Sequence, residues 1–244
     1  MIQVINRAID ILEYLASEPD RPKPLSEIAK HLELNEGTCA NIIKTLVNRK
    51  FVDKLEKRQG YCLGAKAYAL TGNEGYKKEL IAAAKKEMEK ITAKLNENSV
   101  LAVLHKEIRL AVASVNSTHA VQAITSTEKR AYDSASGRLL VGMLPDAELH
   151  AFLEKYGLPK AGEWDEARDE KLFLKEAAKI KQQGYAIQKT TSKIVGLAVP
   201  VYLGEKVVAS LSIYLPDFRY KNADKSELLD LLAQSAKRIT RSLT

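Results

Sequence analysis

From Asn35 to Asn48 the chain spaces Gly37, Asn41, Lys44 and Asn48 so that, at about 100° per residue, they share one side of a helix, with Thr38 and Thr45 on its flanks. No acid stands on that side. Amides, hydroxyls and one ammonium can hydrogen-bond base edges and touch phosphates, whereas a carboxylate there would repel a phosphate backbone. Two further cations, Lys57 and Arg58, follow inside a short polar stretch at residues 56–60, where they would add phosphate contacts. The chemistry these groups favour is recognition of double-stranded DNA. Catalytic and metal chemistry is poorly supplied by comparison. There is no GxSxG elbow, no HExxH, no Walker loop and no GxGxxG, and His31, His105, His119 and His150 are scattered. Cys39 and Cys62 have no neighbouring ligand spacing, so neither a zinc site nor a disulfide framework is indicated, and no cofactor or metal is expected.

Such a surface needs elements to present it. Leu25, Ile28, Ala29 and Leu32 recur at helical spacing and predict a first short helix. After a turn at residues 33–35, Cys39, Ile42, Ile43, Leu46 and Val47 repeat the pattern, and Asn35 is a suitable N-cap for this second helix. Residues 51–55 and 61–63 then read as two strands of a hairpin whose tip is the basic stretch. Helix, turn, helix and basic hairpin together predict a winged helix-turn-helix. Ahead of them Val4, Ala8, Ile11, Leu12 and Leu15 predict a supporting helix that Pro19, Pro22 and Pro24 end. The net charge of +7 agrees with a polyanionic partner. That excess is not concentrated here, because the first 75 residues carry nearly as many acids as bases, so affinity would rest on a few placed cations.

A chain of 244 residues is long enough for two domains, and the glycine-bearing segment at 71–75 is the natural joint. A lysine-rich amphipathic helix follows at 77–96, with Leu80, Ala84, Met88, Ile91 and Leu95 as its apolar stripe, suited to a spacer or a dimer contact. Strands are expected at 100–104, 108–115 and 121–125, helices at 134–144, 145–156 and 170–183, and strands again at 185–190, 195–203 and 206–215. Gly204-Glu205 joins the last two as a type II′ hairpin signal, and a final helix covers 224–242. Without strict βαβ alternation this is an α+β domain around an antiparallel sheet. Ser134, Ala135, Ser136 and Gly137 would let helix N-terminal amides approach an anion, although from spacing alone simple helix capping is an equal reading. With no charged leader followed by an apolar segment and no apolar run of ~20 residues, a cytoplasmic protein is expected.

The order of these parts resembles the IclR family of bacterial transcription regulators, over essentially the whole chain. VINRAIDILEYLA and LSEIAKHLELNEGTCANIIKTLVNRKFVDK carry the resemblance at the N-terminus, YDSASGRLLVGMLPDAEL in the middle, and IKQQGYAIQKTTSKIVGLAVPVYLGEKVVASLSIYLP near the end. The resemblance implies a winged helix-turn-helix over residues 1–72, a linker helix over 73–97 and a GAF-like α/β effector-binding domain over 98–244. It further implies assembly as dimers or dimers of dimers, and a small-molecule effector that changes operator binding. By position the implied effector residues are Ala135, Ser136, Gly137, Gln188, Lys189, Gly196, Ser212 and Tyr214. The chain departs from the family pattern in having Gln188 and Lys189 in place of acids, Gly196 in place of a cysteine and Tyr214 in place of a serine. In the helix-turn-helix, Glu33 stands where a turn glycine is usual, and a positive φ there would cost about 1 kcal/mol. The expected effector is an organic or aromatic acid. The alternatives are a second domain that only oligomerises and, with less support, an enzyme fused to a DNA-binding domain.

Overall fold

The computed structural model describes residues 2–18, 21–55, 60–67 and 78–243, and the chain separates into two compact units, Met1–Tyr76 and Lys77–Thr244. In the first, α1 (Gln3–Ala16), α2 (Leu25–His31) and α3 (Glu36–Asn48) precede a hairpin of β1 (Val52–Leu55) and β2 (Gly60–Leu63), paired antiparallel with Val52 opposite Leu63. The apolar stripes read from the sequence converge: Ile11, Leu15, Ile28, Ala29, Cys39, Ile42, Ile43 and Val52 form one buried core. Asn35 caps α3 by accepting the Gly37 amide at 2.8 Å, and Glu33 takes φ 53° in the tight turn before it. Lys23 pairs its backbone with Tyr61 beside the hairpin, and its buried ammonium is satisfied by the Tyr14 carbonyl at 2.5 Å and the Ser17 hydroxyl at 2.8 Å.

The second unit opens with α4 (Lys78–Leu95). Its sheet comprises β3 (Asn98–His105), β4 (Ile108–Val115), β5 (Glu128–Arg130), β6 (Ala186–Lys189), β7 (Ile194–Leu203) and β8 (Lys206–Pro216), hydrogen-bonded in the order β5-β4-β3-β8-β7-β6. Every pairing is antiparallel. Residues 121–125, expected as a strand, are instead part of a loop, and the strand is the three-residue β5 further on. The β-rich composition of that stretch misleads because its backbone is engaged by side chains: the Ala123 carbonyl accepts from Asn98, and the Val121 carbonyl from Arg219. Val121 and Ile124 are consequently exposed.

Both faces of the sheet are covered. On one, α4 and α9 (Lys225–Ser242) pack Met88, Ile91, Leu232 and Ile239 against Leu101, Val103, Leu197, Leu211 and Ile213. A linker-like reading of residues 78–95 therefore does not describe the whole of α4, whose apolar stripe is core of this unit. On the other face lies α5 (Ala135–Gly142), buried along its entire length and backed by α6 (Asp146–Tyr156) and α7 (Glu170–Gln183). The short α8 (Asp217–Asn222) follows β8. Among the described residues no helix is long and apolar enough to cross a membrane.

Candidate nucleic-acid interface and ligand site

On α3, Gly37, Asn41, Lys44, Thr45 and Asn48 are all exposed, while Thr38 is half-buried. They do not form one uniform surface. Asn41 and Thr45 border a groove of about 470 Å³ lined also by Val4, Ile5, Ile9 and Leu46, and the Thr45 hydroxyl is turned back onto the Asn41 carbonyl at 3.1 Å. Gly37, Lys44 and Asn48 occupy the side directly away from the core. At the C-terminal end of α3, Asn48 lines a shallow depression of about 480 Å³ with Arg49, Lys50, Ala65 and Lys66. Those three cations adjoin the helix end through a backbone turn, in which the Lys66 amide donates to the Lys50 carbonyl at 3.0 Å, and the sequence pattern gave no sign of them. Clustered cations beside an acid-free helix face have the chemistry that phosphate contact requires. Lys57 and Arg58, expected at the wing tip, lie outside the described residues.

In the second unit the effector candidates are brought together by register. Residues directly opposite across antiparallel strands share a face. Gln188 lies opposite Gly196, Gly196 opposite Tyr214, and Tyr214 opposite Asn98. The same row structure places Ala198, Ser212 and Val100 together one step along. Above this face sits the first turn of α5, with Ala135, Ser136 and Gly137. Gly196 is what lets it sit there, since a Cβ at that position would meet Tyr214 Cε1 at 2.8 Å and the Ala135 Cβ at 3.0 Å. The seating is polar as well as close. Ser136 Oγ and the Tyr214 hydroxyl share a hydrogen bond of 2.8 Å, and Ser134 caps the helix by accepting the Gly137 amide at 3.1 Å.

Lys189 is not part of this cluster. It is exposed on the opposite side of β6 from Gln188, with its ammonium 5.2 Å from the centre of the Tyr220 ring, because side chains alternate along a strand. Ser212 shares the face but is fully buried, and its hydroxyl donates to the Val100 carbonyl at 3.1 Å. Gln188 is buried and donates to Asp133, 3.4 Å away, whose other carboxylate oxygen takes the Lys129 ammonium at 3.1 Å. Asp133 and Ser134 thus belong to the same polar group as the residues read from the sequence. Arg109 on β4, which sequence reasoning passed over, is buried without exposure on the same sheet face, opposite Leu104. Among the described residues no cluster of three metal-ligating side chains occurs.

Comparison with known proteins agrees in both units. The family described as bacterial transcriptional regulator IclR C-terminal matches residues 76–241, and the IclR helix-turn-helix domain matches residues 4–56. The transcriptional regulator XynR of Escherichia coli is 25% identical over 252 residues, covering 100% of this chain and 98% of its own. The regulator KdgR of Dickeya chrysanthemi is 21% identical, covering 98% of this chain and 79% of its own. Among solved structures, the Thermotoga maritima IclR superposes with a TM-score of 0.75 at 19% identity, covering 100% of this chain and 99% of that one. An IclR homologue from Microbacterium hydrocarbonoxydans complexed with 4-hydroxybenzoate superposes at 0.73 with 21% identity, covering 98% of both chains.

Proposed function

This chain belongs to the IclR family of bacterial transcriptional regulators, and on that premise we propose that it binds a near-palindromic operator through its winged helix-turn-helix and senses a small organic acid in its second unit. The observation that carries the sensing half is the Ser136–Tyr214 hydrogen bond over Gly196, which holds a helix N-terminus against a row of buried polar side chains. Amides at a helix start, together with the helix dipole, favour an anionic ligand. The Microbacterium homologue's complex with 4-hydroxybenzoate supports an aromatic acid as one member of the class. In this reading residues 1–72 read DNA, residues 73–97 relay the signal and residues 98–244 bind the effector.

For the DNA half, Lys44, Asn48, Lys57 and Arg58 serve the phosphates and groove wall, and Asn41 with Thr38 set sequence preference. Self-association as a dimer, or a dimer of dimers, is supported by the apolar strip Val4, Ile5 and Ile9 on α1, which is exposed in the single chain. Two copies would place their α3 helices about 34 Å apart, one turn of DNA. The test is a thermal-shift screen of the full chain against organic and aromatic acids, 4-hydroxybenzoate included, followed by operator binding with each hit. A stabilising acid that moves operator affinity by roughly five- to 150-fold is the expected result. Stabilisation by none of them refutes acid sensing, and a footprint without two-fold symmetry refutes the dimeric operator.

A further inference from the structure

Arg109 stands in β4 between Ile108 and Leu110, opposite Leu104 of β3 and Lys129 of β5. Register therefore puts it on the face that carries Val100, Ala102, Ser212 and Tyr214. Its guanidinium is wholly buried, yet no carboxylate among the described residues pairs with it. Of the five N–H donors such a group presents, those with acceptors are Nη1, 3.4 Å from the Thr127 carbonyl, and Nη2, 2.9 Å from the Thr125 hydroxyl. Its Nε is, among the described residues, the one buried side-chain nitrogen or oxygen left without any partner.

A buried guanidinium without a counter-ion is among the costliest arrangements a fold can hold. Burial pushes the Arg109 pKa down, against the opposing pull of the nearby Tyr214 hydroxyl and Asp133 carboxylate. Asp133 cannot neutralise it fully, being engaged already by Lys129 and Gln188. Beside it, Val100, Ala102, Ala123 and Tyr214 form a small, largely apolar cluster. A planar fork of donors, one of them idle, next to an apolar patch and a hydroxyl pair is the receptor for a carboxylate with a short uncharged body.

We propose that Arg109 is the anchor that takes the effector's carboxylate. This rests on the reading of the second unit as an acid sensor and adds the residue that makes it select acids over their neutral counterparts. The carboxylate accepts from Nε and the adjacent Nη, on the sheet face that also carries Tyr214. Because Thr125 and Thr127 belong to the loop between β4 and β5, a ligand at Arg109 competes for the same donors that hold that loop.

The test measures binding of acetate, propionate and benzoate against acetamide, propionamide and benzamide, by calorimetry on the full chain and on Arg109→Met and Arg109→Lys. The natural chain is expected to bind at least one of these acids about tenfold or more tightly than its amide, and Arg109→Met to lose that preference. Should Arg109→Met fail to fold, Arg109→Lys, which keeps charge but loses the planar fork, is expected to fall between the two. Acid binding that Arg109→Met or Arg109→Lys leaves unchanged, or amides bound as tightly as acids, overturns the anchor and spares the acid sensor. If no acid binds the natural chain, the acid-sensor reading fails and the anchor with it.

Discussion

The site depends on how closely α5 can approach the turn before it, and Gly137→Ala tests that directly. A Cβ built on Gly137 would lie 2.1 Å from the Ala131 carbonyl oxygen, 2.6 Å from its Cα and 2.7 Å from its carbonyl carbon. The obstacle is backbone, so no side-chain rotation relieves it. Nor is Ala131 free to retreat. Its amide donates to the Glu107 carbonyl at 2.8 Å, and the following Tyr132 carbonyl is held by Arg138 Nε at 2.9 Å. Overpacking costs about 1–3 kcal/mol, and a rigid obstacle argues for the upper end. Replacing a helical glycine by alanine returns about 1 kcal/mol through helix propensity, which leaves a net loss of about 2 kcal/mol. For a unit of this size, each 1 kcal/mol moves the melting temperature by about 2–4 °C, so a drop of roughly 4–8 °C is expected. Calorimetric melting of the full chain measures it. A variant that melts with or above the natural chain would refute the claim that Gly137 is present for close approach. A drop in melting with unchanged acid affinity would separate stability from binding and detach the α5 turn from the ligand site.

Three other expectations follow from the geometry. Tyr214→Phe and Ser136→Ala, measured singly and together by urea unfolding, should show a coupling of about 1 kcal/mol for their buried 2.8 Å hydrogen bond, and strictly additive losses would show that the hydroxyls do not interact. Lys44→Ala should weaken binding to all DNA sequences alike and flatten the salt dependence by about one unit, whereas an unchanged slope removes Lys44 from the phosphate contacts. Asp224 caps α9, and hydrogen bonds from the Ser226 hydroxyl and amide and the Glu227 amide hold its pKa below the usual 3.8. A folded-state pKa that is lowered gives stability present above 3.8 and lost as the pH falls through the folded value, so Asp224→Ala should melt below the natural chain at pH 7, with the gap closing in strong acid. A gap that persists at low pH would mean that the carboxylate charge is not what caps the helix.

Much of the architecture was legible because local signals agreed with one another. Asn35 before a helical repeat, Gly204 at the head of a two-residue turn and proline after α1 each carry their own backbone preference, and α3, the β7–β8 hairpin and the end of α1 follow them. The stretch at 121–125 misled for the opposite reason. Its β-branched residues favour extension, but strand pairing is decided by long-range partners, and here the side chains of Asn98 and Arg219 took the carbonyls that a neighbouring strand would have used. Glu33 shows a third case, where tertiary packing overrides preference. Glu33 takes φ 53° in the turn between α2 and α3, and the core built on Ile28 and Cys39 holds the helices on either side of it.

The candidate site was legible only where it shares a local pattern, and Arg109 shows why. In IRLAVASV the alternation of Ile108, Leu110 and Val112 with Arg109, Ala111 and Ala113 reads as one face inward and one in water, the usual state of an antiparallel strand. On that reading an arginine belongs in solvent. It is buried because α5 and the loop from β4 to β5 cover the second face, and strand alternation carries no sign of either. Alternation assigns side chains to faces without saying what lies over each face. A lone cation inside an apolar strand is therefore ambiguous until the layer above it is known. Here that layer includes Thr125 and Thr127, whose hydroxyl and carbonyl accept from two guanidinium nitrogens and leave Nε unpaired. Those are the conditions for binding an acid, and Arg109→Met is the substitution that tests whether the chain uses them.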